Sequence, residues 1–147
     1  MKKRFALLYL TGLVWWSSCS TGPEPFAFGK DLCHTCKMGI IDPKFGAELI
    51  TKKGKIYKFD DVSCLNHYLR SNATPVEDIS QQLVINFEKE NDFIPLDQAI
   101  FILGPAVKSP MGSHVAAFAS REKAEKMNAT FTGELLSWKE LAGKLDQ

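Results

Sequence analysis

The chain has 147 residues, 45% of them hydrophobic, and this length suits one compact domain with its own core. Residues 1–18 hold three basic residues and no acidic one, so the formal net charge of +1 becomes −2 for the remainder, which has 15 basic and 17 acidic residues. A nucleic-acid-binding protein would normally carry clustered positive charge, and the composition therefore argues against that class.

The first residues have the layout of a secretory signal segment. Three basic residues at positions 2–4 precede an apolar run from Phe5 to Trp16, and two serines then precede Cys19. The apolar run is too short, and wrongly flanked, for a membrane-spanning helix. We therefore interpret residues 1–18 as a signal peptide.

Small residues directly before a cysteine resemble the lipobox of bacterial lipoproteins, in which the cysteine becomes the lipidated N-terminus. Trp16 and Ser18 depart from the residues that are usual in that pattern. A plain signal peptide followed by an incidental cysteine is the alternative, but a free thiol beside a cleavage site would be a liability. Cys19 is therefore predicted to anchor the protein to a membrane of the bacterial cell envelope, facing the periplasm.

Residues 19–30 follow as the lipidated cysteine and a short tether that contains Pro and Gly. The next part of the chain shows the pattern of two strands, a helix and a third strand. The predicted strands are residues 47–51, 55–59 and 82–87, and the predicted helix spans residues 60–72. Asp60 or Asp61 is expected to cap this helix.

The rest of the chain repeats this order of elements. Strands are predicted at 99–104 and 114–118, a helix capped by Ser120 at 120–130, and a short strand or turn followed by a final helix at 133–145. The sequence thus predicts an α+β fold in which two tandem ββαβ units, about 31–95 and 96–147, pack around one shared core. Together they form the predicted functional domain, residues 31–147.

The chemistry of the chain is concentrated in residues 31–40, DLCHTCKMGI. Cys33 and Cys36 could form a redox disulfide, bind zinc or bind Cu(I). A redox C-x-x-C is expected at the start of a helix that follows a strand, and zinc needs two more ligands at comparable spacing. Cu(I) accepts thiolate and thioether together, so the nearby Met38 favours copper, although core packing is its alternative role.

Four other side chains are candidates with weaker signals. Met111 lies between Pro and Gly in an expected turn, which is an unusual place for a core methionine, and packing of the loop tip onto the neighbouring helix is its alternative role. His114 follows three residues later. Cys64 falls near the buried face of the predicted helix, so core packing is the favoured interpretation. His67 points nearer to solvent. Three cysteines in an exported domain also leave at least one thiol unpaired if the others form a disulfide.

These motifs together resemble the NosL family, exported copper-binding lipoproteins associated with maturation of nitrous oxide reductase. DLCHTCKMGI fits a D-x-C-H-x-C-x-M-x-I pattern at every specified position, and KFDDVSCLNHYL and PMGSHVAAFAS follow in the family's order. The resemblance implies a Cu(I) chaperone of two ββαβ units that delivers copper outside the cytosol. Its partners would be nitrous oxide reductase or the copper-assembly machinery of that enzyme, and the membrane through the lipid anchor.

The resemblance also implies a ligand set. Cys33, Cys36 and Met38 carry the family's copper-binding role through the first motif, and Met111 through the P-M-G match. His34 matches the pattern without being assigned as a ligand. The sequence shows no catalytic arrangement or phosphate-binding loop, so we expect no enzyme. An exported thiol-disulfide oxidoreductase and a zinc-stabilised interaction module are the competing hypotheses.

Overall fold

The computed structural model describes residues 22–145, which form seven strands and three helices. The strands are β1 (Ala47–Thr51), β2 (Ile56–Phe59), β3 (Ile79–Ile85), β4 (Phe93–Pro95), β5 (Ile100–Leu103), β6 (Val115–Phe118) and β7 (Glu134–Leu136). The helices are α1 (Val62–Arg70), α2 (Arg121–Phe131) and α3 (Trp138–Lys144). Helices and two small antiparallel sheets in one compact domain confirm the predicted α+β class.

The two sheets are built in the same strand order. The first sheet runs β2-β1-β3-β4 and the second runs β6-β5-β7, with antiparallel neighbours throughout. In the first sheet, β1 lies between its hairpin partner β2 and β3, the strand that follows α1. In the second sheet, β5 lies between its hairpin partner β6 and β7, the strand that follows α2. The repeated ββαβ pattern of the sequence is therefore also the repeated topology of the fold.

Two features of the first sheet differ from the sequence prediction. β3 begins at Ile79, three residues before the predicted start, because Ile79 and the polar Gln81 also pair with β1. β4 was missed because it has only three residues and ends in Pro95, a residue that sheets accept at an edge strand. Hydrophobic periodicity cannot detect either feature, because both depend on pairing partners.

The two units share one hydrophobic core. Leu49 of β1 and Leu65 of α1 belong to the same buried cluster as Phe101 of β5 and Leu136 of β7. A second, smaller cluster around Phe118 packs β5 and β6 against α2. Because buried apolar area is the main favourable contribution to folding, the shared cluster makes the units interdependent.

The helix caps determine which side chains fall in the first turn of α1. Asp61 is the cap, since its Oδ1 accepts a hydrogen bond from the Ser63 backbone N–H at 2.8 Å. Ser120 has the same role for α2, where its Oγ lies 3.4 Å from the Lys123 nitrogen. Starting α1 at Val62 puts Cys64 in the first turn, on the buried side.

Residues 24–28, which the sequence analysis assigned to the tether, pack against the first sheet. The Phe26 ring is 4% exposed and stacks on Phe93 with ring centroids 6.0 Å apart. The backbone N–H of Phe26 also donates to Asn91 Oδ1 at 2.7 Å. These residues belong to the folded domain instead of a linker.

A buried carboxyl group lies beneath this segment. Glu48 is fully buried on β1 and stands opposite Lys58 of β2 in the antiparallel register. Its Oε2 accepts from the Glu24 backbone N–H at 3.3 Å, while its Oε1 has no hydrogen-bond partner within residues 22–145. Lys58 Nζ instead contacts Asp31 Oδ2 at 2.8 Å. Burial therefore raises the pKa of Glu48 to about 7.

We predict that Glu48→Gln removes a pH-dependent cost of folding. A raised carboxyl pKa means that the wild-type protein loses stability as pH rises from 4.5 to about 7, because ionisation then disfavours the folded state. We compare the free energy of unfolding of Glu48→Gln with that of wild type at each pH. Above pH 7 this difference should favour the variant by about 1–3 kcal/mol more than it does in acid. Denaturant unfolding across this pH range measures the effect.

The substitution Glu90→Gln provides the matched control, since it removes one exposed acidic group and leaves the buried Glu48 in place. Its stability should run parallel to wild type with pH. Parallel curves for Glu48→Gln and wild type would contradict the prediction.

Candidate metal centre

Cys33 and Cys36 sit in a tight loop that precedes β1. Leu32 and Gly39 form an isolated antiparallel bridge at its base. The Cys33 N–H donates to the Met38 carbonyl at 2.8 Å, and the Lys37 N–H donates back to the Cys33 carbonyl at 3.0 Å. This closure requires a left-handed backbone at Lys37, with φ of 66°. The loop is therefore preformed by its own backbone hydrogen bonds.

Two hydrogen bonds fasten this loop to the first unit. The His34 N–H donates to the Lys58 carbonyl on β2 at 2.8 Å. The Thr35 hydroxyl donates to the Cys64 carbonyl on α1 at 3.0 Å. These contacts bring the loop against the first turn of the helix.

As a result, three cysteine thiols meet at one point. The Sγ atoms of Cys33, Cys36 and Cys64 all lie within 4.8 Å of one another, and all three thiols are free. Cys33 is 0% exposed and Cys64 is 4% exposed, whereas Cys36 is partly exposed. Across residues 22–145 this is the only group of three or more Cys, His, Asp or Glu side chains with ligand geometry.

The hydrogen bonds of the cluster favour one thiolate and two thiols. The Cys64 thiol, followed by the backbone N–H groups of Asp60 and Cys36, lowers the pKa of Cys33 to about 4 despite burial. Burial and the Cys33 charge raise the pKa of Cys36. The hydrogen bond to Cys33 and burial raise the pKa of Cys64. Cys33 is therefore the charged sulfur at neutral pH.

Two consecutive aspartates border the cluster and have different surroundings. Asp60 is 2% exposed, and burial, followed by the Cys33 and Asp61 charges, raises its pKa to about 6. Its Oδ1 accepts no hydrogen bond from any residue the structure describes. Asp61 is 1% exposed, yet its carboxylate accepts hydrogen bonds from both α1 and a loop of the second unit.

Both predicted methionine ligands lie at the surface. Met38 is 49% exposed, and its backbone N–H donates to the Cys36 sulfur. Met111 is 39% exposed in the loop between β5 and β6, where its N–H lies 3.4 Å from Asp61 Oδ2. Their thioether ligation stays a prediction, and the part of the site that the structure brings together is the group of three thiols.

None of the histidines joins the thiols. The exposed His34 ring packs edge-on against Tyr57 and Tyr68, with centroid distances of 4.6 and 5.3 Å. His114 donates its Nδ1–H to the Val107 carbonyl at 2.8 Å, so its ring is held by its own loop. His67 is exposed on α1. Of these, none lies in the metal-ligand group.

Cys64 is the member of the thiol group that the sequence analysis left out of its candidate site. Its burial agrees with the core-packing interpretation, and the same buried thiol also belongs to a group of three that could hold a metal ion. The odd number of cysteines in the predicted domain was the available signal. It could not be used because the loop and the helix meet only in the folded chain.

The predicted lipidation site, Cys19, lies outside the described residues. Within residues 22–145, no helix combines the length and the apolar character that crossing a bilayer would require. Membrane attachment through Cys19 stays a prediction.

Comparison with known proteins gives a match to the NosL family model over residues 27–145. Among solved structures, the fold is similar to the copper chaperone NosL from Shewanella denitrificans, with a TM-score of 0.63 and 26% sequence identity. The match covers 80% of this chain and 96% of that chain. No curated protein sequence gives a significant match.

We predict that the reduced, metal-free protein holds one thiolate at neutral pH, and that it is lost as pH falls through about 4. Ultraviolet absorbance of the thiolate, followed during an acid titration, measures this. Cys33→Ser should abolish the signal. Cys36→Ser should keep it, because the Cys64 thiol and the Asp60 N–H still stabilise the Cys33 charge. Absorbance that develops only near the ordinary thiol pKa of 9.0 would contradict this assignment.

Proposed function

The chain belongs to the NosL family, and from this premise we propose that it is an exported Cu(I) chaperone, anchored to the bacterial cell envelope through Cys19. It binds copper in the periplasm and transfers the ion to nitrous oxide reductase or to the copper-assembly machinery of that enzyme. It carries the ion as cargo and has no catalytic role. The client and the location rest on the family and on the leader sequence.

The observation that carries the proposal is the set of three thiols. Thiolate sulfur is a soft ligand that selects Cu(I), and no imidazole or carboxylate joins the group within the described chain. Structural zinc sites take four ligands, most often cysteine and histidine, so three thiols without a fourth such donor fit zinc poorly. The donor set therefore supports copper binding over the zinc-stabilised module.

The cluster is prepared for a cation by its hydrogen bonds. Cys33 is already a thiolate, so Cu(I) meets a negative sulfur on entry, and the protons of Cys36 and Cys64 leave as their sulfurs coordinate. The N–H groups of Asp60 and Cys36 keep donating to Cys33 and offset part of the buried negative charge. Loading thus releases protons but requires no electron transfer.

Release is expected at the Cys36 side. Cys33 and Cys64 are buried, so we expect an acceptor to approach the ion from the side of the partly exposed Cys36. A ligand from the acceptor can then bind Cu(I) before the three thiolates have all dissociated. In this scheme Met38 and Met111 bind the ion at the rim of the cluster during transfer.

The oxidoreductase alternative is less well supported. A dithiol catalyst must expose the sulfur that attacks its substrate disulfide, yet the thiolate here is Cys33, which is 0% exposed. The C-x-x-C pair also lies in a loop before β1 instead of at a helix start.

We predict that Cys64→Ser strongly weakens Cu(I) binding. A serine hydroxyl is a poor ligand for Cu(I), and loss of a direct ligand should exceed the roughly 10- to 100-fold loss caused by changes around a metal site. Anaerobic competition against a chromophoric Cu(I) chelator measures the dissociation constant. Met127→Leu, in the second core cluster and away from the thiols, is the control and should bind as wild type does.

Wild-type Cu(I) affinity in Cys64→Ser would remove Cys64 from the ligand set. The same titration with Zn(II) tests the chaperone itself. Tight Zn(II) binding together with weak Cu(I) binding by the wild-type protein would contradict the proposed function.

We predict separately that Cys19→Ser releases the protein from the membrane. Acyl chains on the cysteine supply the membrane affinity, since each buried methylene contributes about 0.8 kcal/mol. Cell fractionation and the mass of the purified N-terminal peptide measure the change. An unmodified Cys19, or a variant that stays with the membrane fraction, would contradict lipidation.

A further inference from the structure

The two carboxylate oxygens of Asp61 serve different parts of the molecule. Oδ1 accepts from the Ser63 backbone N–H at 2.8 Å and from the Ser63 hydroxyl at 3.0 Å, which caps α1. Oδ2 accepts from the Ser113 hydroxyl at 2.9 Å and from the Met111 N–H at 3.4 Å. Asp61 is therefore a buried bridge between a helix of the first unit and a loop of the second.

The loop that Asp61 holds keeps its own shape. Ser109 Oγ lies 3.0 Å from Ser113 Oγ and accepts from the His114 N–H at 3.0 Å. The Gly112 N–H donates to the Ser109 carbonyl at 3.1 Å, and both Gly112 and His114 adopt left-handed backbones. These internal bonds fix the conformation of the loop. They do not fix its orientation toward the first unit.

Asp61 also stands next to the thiol cluster. The backbone N–H of its neighbour Asp60 donates to the Cys33 sulfur, and the helix turn that it caps carries Cys64. Asp61, which accepts from the Met111 N–H, is therefore next to residues that contact or carry two of the three thiols. Met111 itself is 39% exposed and has a long, flexible side chain.

We propose that Asp61 is the positioning residue that aims Met111 at the thiol cluster, and so sets the thioether contribution of the second unit to the copper site. This rests on the proposed function. Asp61 does not bind the ion; one oxygen holds the Cys64 turn while the other holds the Met111 loop. The cap residue therefore determines whether a donor from the second unit reaches an ion bound by the first.

Asp61→Asn separates the two roles. Asparagine caps helices about as well as aspartate, so its carbonyl oxygen can keep the Ser63 hydrogen bonds. Its amide nitrogen cannot accept a hydrogen bond, so the Met111 N–H loses its partner. The helix and its Cys64 turn stay in place while the Met111 N–H loses its acceptor, and the new amide can at most donate to the Ser113 hydroxyl. Ser113→Ala is the companion variant, since it removes the 2.9 Å hydrogen bond to Asp61, together with the Ser109 contact inside the loop, and leaves the cap intact.

The decisive measurement is NMR of methionine methyl groups, isotope-labelled in the protein and recorded before and after one equivalent of Cu(I). In the wild type we expect the Met38 and Met111 methyl signals to shift. The Met127 signal, from the second core cluster, should not move and serves as an internal reference. In Asp61→Asn the Met111 shift should be lost while the Met38 shift persists, and in Ser113→Ala it should be reduced. A merely destabilised protein would affect both methionines.

Affinity provides an independent readout. Asp61→Asn should weaken Cu(I) binding by about tenfold, as changes around metal ligands do. If Asp61 acts through Met111, then Met111→Ser should cause a similar loss, and the double variant should be no worse than either single one. Additive losses would overturn the proposal.

Two further outcomes separate this inference from the proposed function. A Met111 methyl shift that persists in Asp61→Asn, or is absent in a wild-type protein that binds Cu(I) tightly, would overturn the positioning role and leave the chaperone intact. Failure of the wild-type protein to bind Cu(I) would overturn both.

Discussion

The centre depends on one sulfur atom, Cys33 Sγ, on which hydrogen bonds from three segments converge. The Cys36 N–H comes from the loop, the Asp60 N–H from the junction before α1, and the Cys64 thiol from the helix. A buried charge is costly unless several donors stabilise it, so the charged form requires all three segments to be in place. The thiol cluster is therefore complete only when these three segments are packed together.

Lys58 extends this dependence to the outer face of the first sheet. Its carbonyl holds the metal loop through the His34 N–H, and its ammonium group holds Asp31 at the start of the same loop. It also lies 3.2 Å from the Pro25 carbonyl, which ties down the segment that covers the sheet. Glu48, which lies opposite Lys58 on β1, is buried, and its Oε1 has no hydrogen-bond partner within the described chain. Its ionisation therefore disfavours the folded state.

The second unit repeats the topology of the first but has diverged in its chemistry. Its helix cap is Ser120, whose hydroxyl caps α2, whereas Asp61 has a second oxygen that reaches across to the other unit. A serine has one side-chain oxygen, so it could not bridge a helix and a distant loop in the same way. The difference between the two caps makes the pair of units asymmetric around the thiols.

Local patterns in the sequence determined much of this protein. Alternating apolar residues and capping residues were enough to predict α1, α2 and the paired hairpins, because both signals act over a few residues. The C-x-x-C spacing likewise identified Cys33 and Cys36 as partners. Only the tertiary structure brought Cys64 to them, since packing of α1 against the sheet and docking of the loop on β2 determine that meeting. The same holds for the hydrogen bond between Asp61 and the Met111 loop. Contacts between distant segments arise from packing of the whole core, and they produce no periodic pattern of residues in the sequence.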